Sequence, residues 1–124
     1  MTLAYWCVLA AALMPFLFTG IAKFTGGRYN NYSPREFLEK QDGFRKRAHW
    51  AQLNSFEAFP FFAAAVIIAH QTGGDQGYID MLAAAFIGIR VVYGVMYLAN
   101  LAALRTLVWA AGLACIIAIF VSGA

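Results

Sequence analysis

The chain has 124 residues, of which 62% are hydrophobic and only 12% are charged. This length allows one domain, so residues 1–124 are treated as a single unit. An ordinary soluble domain has about a quarter charged residues, so the composition excludes that class and predicts an integral membrane protein. The net charge is +3, but most of the basic excess lies in one block without a nucleic-acid-binding motif. We therefore interpret it as a topology signal and expect no nucleic-acid partner.

Four apolar runs are long enough to cross a bilayer as helices, which takes about 20 residues each. They predict an all-α bundle with spans at residues 3–22, 47–70, 80–100 and 104–122. No Lys or Arg precedes the first run, so we expect a retained span and not a cleaved signal peptide. Cys7 and Cys115 lack metal-ligand or redox spacing, and we expect two buried thiols.

The connection between the first two spans, residues 23–46, is polar and basic. Together with Arg47 it carries seven of the nine Lys and Arg residues, whereas the loop between the second and third spans has none. Cytoplasmic loops carry an excess of Lys and Arg, so we predict a cytoplasmic connection and both termini on the opposite side of the membrane.

Local signals predict where two helices begin. Ser33, Pro34 and Glu36 have the spacing of a capping box, which predicts a short helix beginning at Pro34. Asp80 precedes the third apolar run and is predicted to be the N-cap of that span. Pro60 has no N–H for the carbonyl of Phe56, so we expect a kink or a freed carbonyl there.

Polar residues lie at matching depths in the second and third spans. Glu57 and Arg90 both lie roughly 15 Å from the cytoplasmic side, and Asn54 and Tyr93 share a layer at about 10 Å. At about 100° per residue, Asn54 and Glu57 share one helix stripe, and Arg90, Tyr93 and Tyr97 share another. Lipid would leave these groups unsatisfied, so the stripes should face protein or a water-filled cleft. We expect Glu57 to meet Arg90, and Asn54 to meet Tyr93.

Two interpretations of this polar seam remain open. In one, Glu57 and Arg90 neutralise each other and fix the register of the two helices. In the other, the same groups hold a small charged ligand near the cytoplasmic surface, and intramembrane ionisable residues generally favour function. His49 is expected to be an interfacial or supporting residue and His70 a helix-terminal one, and no metal site is predicted.

Two motifs in these spans resemble the MAPEG family, the membrane-associated proteins in eicosanoid and glutathione metabolism. Its members include microsomal glutathione transferases and glutathione-dependent leukotriene and prostaglandin synthases. The first motif is Arg47-Ala48-His49 followed by Asn54, Glu57 and Pro60. The second is Arg90-x-x-Tyr93-x-x-x-Tyr97, with Arg105 beyond it. The resemblance covers nearly the whole chain.

The resemblance implies a homotrimer that binds glutathione, as a co-substrate, between neighbouring subunits near the cytoplasmic face. The glutathione-binding residues that it implies are Arg47, Asn54, Glu57, Arg90, Tyr93 and Tyr97. It also implies a catalytic role for Arg105 near the thiol, where an arginine favours the nucleophilic thiolate.

The chain departs from the family pattern in three respects. Trp50 stands where glutathione-binding members usually carry an arginine, and Ala58 stands where a tyrosine often follows the Glu. Arg105 lies eight residues past Tyr97, one further than in some synthases. The leading hypothesis is glutathione-dependent transfer or peroxide reduction on a lipophilic electrophile that arrives through the bilayer. The alternative is a non-catalytic membrane protein of the same fold that assembles with, or binds, a lipid or protein partner. A proton or ion pathway through Glu57 and Arg90 is a third possibility.

Overall fold

Each long apolar run forms one helix, because in a membrane the backbone polar groups must be satisfied within the segment itself. The computed structural model describes residues 1–124 and contains five helices. They are α1 Leu3–Phe24, α2 Pro34–Glu39, α3 Gly43–Gln71, α4 Gln76–Leu98 and α5 Ala102–Val121. All but α2 are long and apolar enough to cross a membrane. The predicted all-α, four-span bundle is confirmed.

The short connections after α3 and after α4 make α3, α4 and α5 alternate in direction, and the longer connection that contains α2 joins α1 to α3 at one end of the bundle. Helix α1 packs most extensively against α3, and α4 packs mainly against α5. The chain therefore has a basic end, where α1 and α4 finish and α3 and α5 begin, and an acidic end opposite to it. The basic end includes the connection from Lys23 to Arg47, and the acidic end includes Asp75 and Asp80.

The main core lies nearer the acidic end and is built from α1, α3, α4 and α5. At its centre the rings of Phe62 and Phe86 stack with their centroids 4.2 Å apart. Cys7 and Cys115 belong to the same cluster as free, buried thiols, as predicted. By contrast, α5 has only three buried residues, Gly112, Cys115 and Ile119. Most of its surface is therefore left for lipid or another chain.

The start of α4 differs from the prediction. Its N-cap is Asp75, whose carboxylate accepts from the Tyr78 amide at 2.9 Å. Asp80 lies inside the helix, where its Oδ1 accepts from the Ala4 amide at 2.9 Å and from Gln76 Nε2 at 2.7 Å. The prediction of Asp80 as N-cap is wrong because the helix begins before its apolar run does. Asp80 instead fastens the first turn of α1 to α4.

His70 extends this junction at the acidic end. Its Nδ1 lies 2.7 Å from the Val66 carbonyl, and its Nε2 lies 2.8 Å from the Thr2 hydroxyl. Because a carbonyl only accepts, Nδ1 carries the proton, and in the neutral ring Nε2 accepts from Thr2. The Tyr5 ring stacks on the imidazole at 4.1 Å. His70 lies in the last turn of α3, as predicted, and also holds α1 in place.

The connection at the basic end is folded against the bundle. Helix α2 begins at Pro34, as predicted, and buries Leu38 against Ala22 and Ala48. Ser33 occupies the N-cap position, but its side chain makes no capping hydrogen bond, so that part of the capping-box prediction is wrong. The Glu36 carboxylate turns instead to Lys40 at 2.6 Å, and this hydrogen bond lowers the pKa of Glu36.

Helix α3 is longer than the predicted span. It begins at Gly43, which has a φ of +58°, and continues through Pro60 to Gln71. The start lies before Arg47 because the charged first turn is helical although it is not apolar. A helix of this length extends beyond the bilayer and carries its basic first turn into the interface.

Candidate functional site

Arg90 is the central polar residue between α3 and α4. Its side chain is only 4% exposed, and its Nη2 donates to Asn54 Oδ1 at 2.7 Å. The same nitrogen lies 3.5 Å from Ser55 Oγ. A buried guanidinium needs hydrogen-bond acceptors because its desolvation is otherwise uncompensated. Asn54 supplies the closest acceptor, and Ser55 is a contact that sequence analysis missed.

Glu57 does not form the predicted ion pair with Arg90. The only ion pair in the chain joins Lys40 and Glu36, and Glu57 is exposed. Helix geometry explains the difference, because Glu57 lies about 160° around α3 from Ser55. A guanidinium that reaches between Asn54 and Ser55 therefore points away from Glu57. The expected acid–base pair is therefore wrong for the single chain.

The tyrosines of α4 connect Arg90 to Arg105. The Arg90 guanidinium carbon lies 4.3 Å from the centroid of the Tyr93 ring, which meets the Tyr97 ring edge-on at 5.6 Å. Arg105, in the first turn of α5, lies 4.3 Å from the Tyr97 centroid. Cations are attracted to the faces of aromatic rings, so the four side chains form a continuous stack. The expected meeting of Asn54 with the Tyr93 phenol is wrong, since no hydrogen bond joins them and Asn54 binds Arg90.

Arg47 lies apart from this stack and has a structural partner. Its Nε and Nη2 both donate to the Leu98 carbonyl, at 3.2 and 3.1 Å. Leu98 is the last residue of α4, where carbonyls lack helical partners and the helix dipole is negative. Arg47 therefore caps α4 from α3.

Trp50 occupies the exposed face of α3 one turn before Asn54. Its ring lies 6.4 Å from that of Tyr97, and the Lys46 ammonium lies 5.9 Å from the Trp50 ring. His49, in contrast, is buried and lies 3.3 Å from Gln52 Oε1 through its Nδ1. No group of three or more His, Cys, Asp or Glu side chains is arranged to hold a metal ion.

A groove between α3, α4 and α5 brings three of the predicted site residues together. It has a volume of about 390 Å³, which lies within the range of small-molecule sites. Its polar wall consists of Asn54, Glu57 and Arg90. The rest is formed by Ala58, Phe61, Phe86, Trp109, Gly112, Leu113 and Ile116. Tyr93, Tyr97, Arg47 and Arg105 do not line the groove.

Sequence analysis missed the contribution of α5 to this groove. Gly112 of α5 lines the groove where this helix approaches α4. It lies beside Phe86 and Ile89, and a Cβ at its position would be 3.4 Å from Ile89. Its small size brings α5 near α4, and Trp109 and Leu113 then form the far wall. The clustering of small residues in the last span was the available signal.

Antiparallel helices of this length, with a polar groove in their apolar interior, define a multi-pass helical membrane protein. Residues 3–124 match the MAPEG family. The chain belongs to this family, so the resemblance seen in the two motifs is confirmed. Neither a curated protein nor a solved structure gives a match to the chain.

Proposed function

We propose that the protein transfers glutathione to lipophilic electrophiles, or reduces lipophilic peroxides with it. The observation that carries this proposal is the groove, in which an unpaired carboxylate, an amide and a guanidinium adjoin an apolar wall. Glutathione presents a complementary ammonium group, two carboxylates and a thiol. The apolar wall suits an electrophile that partitions into the bilayer.

Each polar residue has a role that matches its chemistry. The Glu57 carboxylate would accept from the glutathione ammonium group, because it has no ion-pair partner within the chain. Asn54 and Arg90 would contact the peptide and its carboxylate, since Arg90 uses only one of its terminal nitrogens on Asn54 and Ser55. In this proposal Tyr93 and Tyr97 line the site from a neighbouring subunit.

We place Arg47 at the edge of the same site. Its hydrogen bonds to the Leu98 carbonyl account for two of its donors, so the ligand contact is its secondary role. A guanidinium has five N–H donors, which leaves donors for a carboxylate.

A homotrimer is supported by what one chain leaves uncovered. Glu57 is exposed on α3, as is the neighbouring Phe61 at 68%. A carboxylate that faces lipid in the middle of a span is costly, so another protein surface is expected there. The sparsely buried α5 offers a second such surface.

The proposed chemistry depends on Arg105. Stacked on Tyr97 at the basic end, its guanidinium would stabilise the thiolate after the thiol proton passes to water. In the transfer reaction, the thiolate forms a carbon–sulfur bond as the leaving group departs with its electron pair. In the peroxide reaction, the thiolate attacks one oxygen as the O–O bond breaks, and the alkoxide leaves and takes a proton from water to become an alcohol. The thiol of a second glutathione then attacks the resulting sulfenic acid, which gives the disulfide and water.

Thermal unfolding of the purified protein, with and without millimolar glutathione, tests binding first. A ligand that binds only the folded state at 100 times its Kd stabilises by about 2.7 kcal/mol, which is a measurable rise in Tm. We expect this rise in the wild type and its loss in Asn54→Ala and Glu57→Gln. Glu39→Gln, which removes a carboxylate outside the groove, is the matched control and should keep the rise. No rise at saturating glutathione would exclude the proposal.

Turnover with chlorodinitrobenzene and an organic hydroperoxide then separates catalysis from binding. We expect Arg105→Gln to retain the glutathione-dependent rise in Tm while losing most turnover. Native mass spectrometry of the solubilised protein should give the mass of three chains.

A non-catalytic role is the second candidate, and two observations favour it. Trp50 presents an indole where glutathione-binding relatives usually offer a cation, and Arg47 already holds α4. Such a protein would use the groove and the face of α5 for a lipid or protein partner. Stable co-purification with another membrane protein, without any response to glutathione, would support this function over the first.

A further inference from the structure

The two ends of the bundle carry opposite charge. Eight of the nine basic residues lie at the basic end, seven in the stretch from Lys23 to Arg47 and the eighth at Arg105. Three carboxylates share that end (Glu36, Glu39 and Asp42), which leaves a net charge of +5. The acidic end has Asp75 and Asp80 and no Lys or Arg. The formal charges of Glu57 and Arg90, which lie within the bundle, sum to zero. The whole excess of positive charge is therefore on one surface.

Contacts within the chain do not neutralise this charge. Arg45 donates to the Thr25 carbonyl at 3.0 Å, Lys46 to the Glu39 carbonyl, and Arg47 to the Leu98 carbonyl. Lys23 lies 4.7 Å from the centroid of the Tyr29 ring. All four partners are uncharged. Only one cation at this end, that of Lys40, forms an ion pair.

Two further cations have no partner of any kind. Arg28 and Arg35 are exposed, and neither forms a hydrogen bond, an ion pair or an aromatic stack within the chain. Arg28 follows the end of α1, and Arg35 lies in the first turn of α2. Their guanidinium groups present planar donors that match phosphate oxygens.

Exposed aromatic side chains lie among these cations. Phe24 is 71% exposed, Tyr32 is 100% exposed and Phe44 is 40% exposed. They belong to the end of α1, the loop before α2 and the start of α3, where the long helices leave the apolar layer. Aromatic rings favour the headgroup level of a bilayer, so this position suits lipid better than a soluble partner.

We propose that this surface binds the headgroups of anionic phospholipids. Arg28 and Arg35 would donate to the phosphates while Phe24 and Tyr32 enter the headgroup layer. The remaining cations of the basic end would attract the anionic headgroups electrostatically. The proposal is independent of the groove and of glutathione. It concerns a surface that surrounds the basic end and not the space between α3 and α5.

Lipid titration of the purified full-length protein tests this proposal. Native mass spectrometry, with phosphatidylglycerol against phosphatidylcholine in the same detergent, measures the affinity of each lipid. We expect phosphatidylglycerol to bind more tightly, and its affinity to fall as salt increases. Each juxtamembrane cation is worth about a fivefold change in affinity, so Arg28→Gln with Arg35→Gln should weaken phosphatidylglycerol binding by about 25-fold.

Matched variants separate charge from folding. Arg28→Lys with Arg35→Lys keeps both charges but removes the planar donors, so its affinity should fall between those of the wild type and the double Gln variant. Asp75→Asn changes charge at the acidic end and should leave the affinity unchanged. Equal affinities for the two lipids, or a double Gln variant that binds phosphatidylglycerol like the wild type, would overturn the proposal. The Tm of each variant in phosphatidylcholine confirms that the fold is retained.

Discussion

Asn54 Oδ1 accepts a 2.7 Å hydrogen bond from Arg90 Nη2, which joins α3 to α4 through a charged donor and a neutral acceptor. The guanidinium is nearly fully buried, and Tyr93 covers one of its faces. Glu57 is thereby left free on the groove wall. Because Asn54 accepts from Arg90, these two residues hold α3 and α4 together, and the Glu57 carboxylate remains available to a ligand.

Removal of this acceptor should be costly. Hydrogen bonds to charged groups contribute about 1.5–3 kcal/mol, and we expect Asn54→Leu to lower the free energy of unfolding by that amount. In the double variant with Arg90→Met the unpaired buried charge is also removed, so much of the loss should be recovered. Reversible unfolding in mixed micelles measures each value.

Ser55→Ala is the control for the Asn54 series. Ser55 Oγ lies 3.5 Å from Arg90 Nη2, which is long for a hydrogen bond, and the Ser55 hydroxyl donates to the Ala51 carbonyl at 2.8 Å. We therefore expect a loss below about 1 kcal/mol. Strictly additive effects of Asn54→Leu and Arg90→Met would contradict the assigned coupling.

The sequence was sufficient to predict four long apolar helices and to place Glu57 and Arg90 at one level of the bundle. Apolar length determines which segments span, and the rise per residue gives the height of Glu57 and Arg90. It was not sufficient for the rotation of α3 about its axis, which depends on packing. Buried Ala51 and Ser55 turn towards the bundle, so Asn54 meets Arg90 and Glu57 turns away.

The groove was also beyond prediction from separate spans. It depends on the position of α5 relative to α3 and α4, and no periodicity encodes that position. The start of α4 was predicted wrongly because Asp75 and Gln76 are too polar to belong to an apolar run. The prediction placed the N-cap at Asp80, at the edge of the apolar run, whereas the helix begins one turn earlier.

The cap that Arg47 forms at the end of α4 can be tested by substitution. Its two donors bind the Leu98 carbonyl, so Arg47→Gln should lower the free energy of unfolding by about 1–2 kcal/mol. The amides of the last turn of α4 should exchange with deuterium more rapidly. Arg28→Gln removes an exposed arginine without a partner and should change neither quantity. Unchanged exchange near Leu98 in Arg47→Gln would refute the cap.

The junction between α1 and α4 that Asp80 forms at the acidic end can also be tested by substitution. Its Oδ1 accepts from the Ala4 amide and from Gln76, so Asp80→Ala should free the first turn of α1. We expect exchange of the Ala4 amide to accelerate about tenfold, the equivalent of about 1.4 kcal/mol. Asp80→Asn keeps a carbonyl oxygen in the same place and should retain most of the protection. If both variants exchange alike, the negative charge and not the acceptor holds the junction.

A side chain at Gly94 should be destabilising, because α1 crosses α4 at this residue. A Cβ at Gly94 would lie 2.0 Å from Phe18 Cζ, whereas a Cβ at Gly88 would meet nothing within 4 Å. We expect Gly94→Ala to lower the free energy of unfolding by about 1–3 kcal/mol through overpacking. Gly88→Ala, in the same helix, should instead be neutral or stabilising because alanine is the better helix former. Phe18→Leu should recover part of the Gly94→Ala loss in the double variant, and equal Tm values for Gly88→Ala and Gly94→Ala would rule out the close crossing.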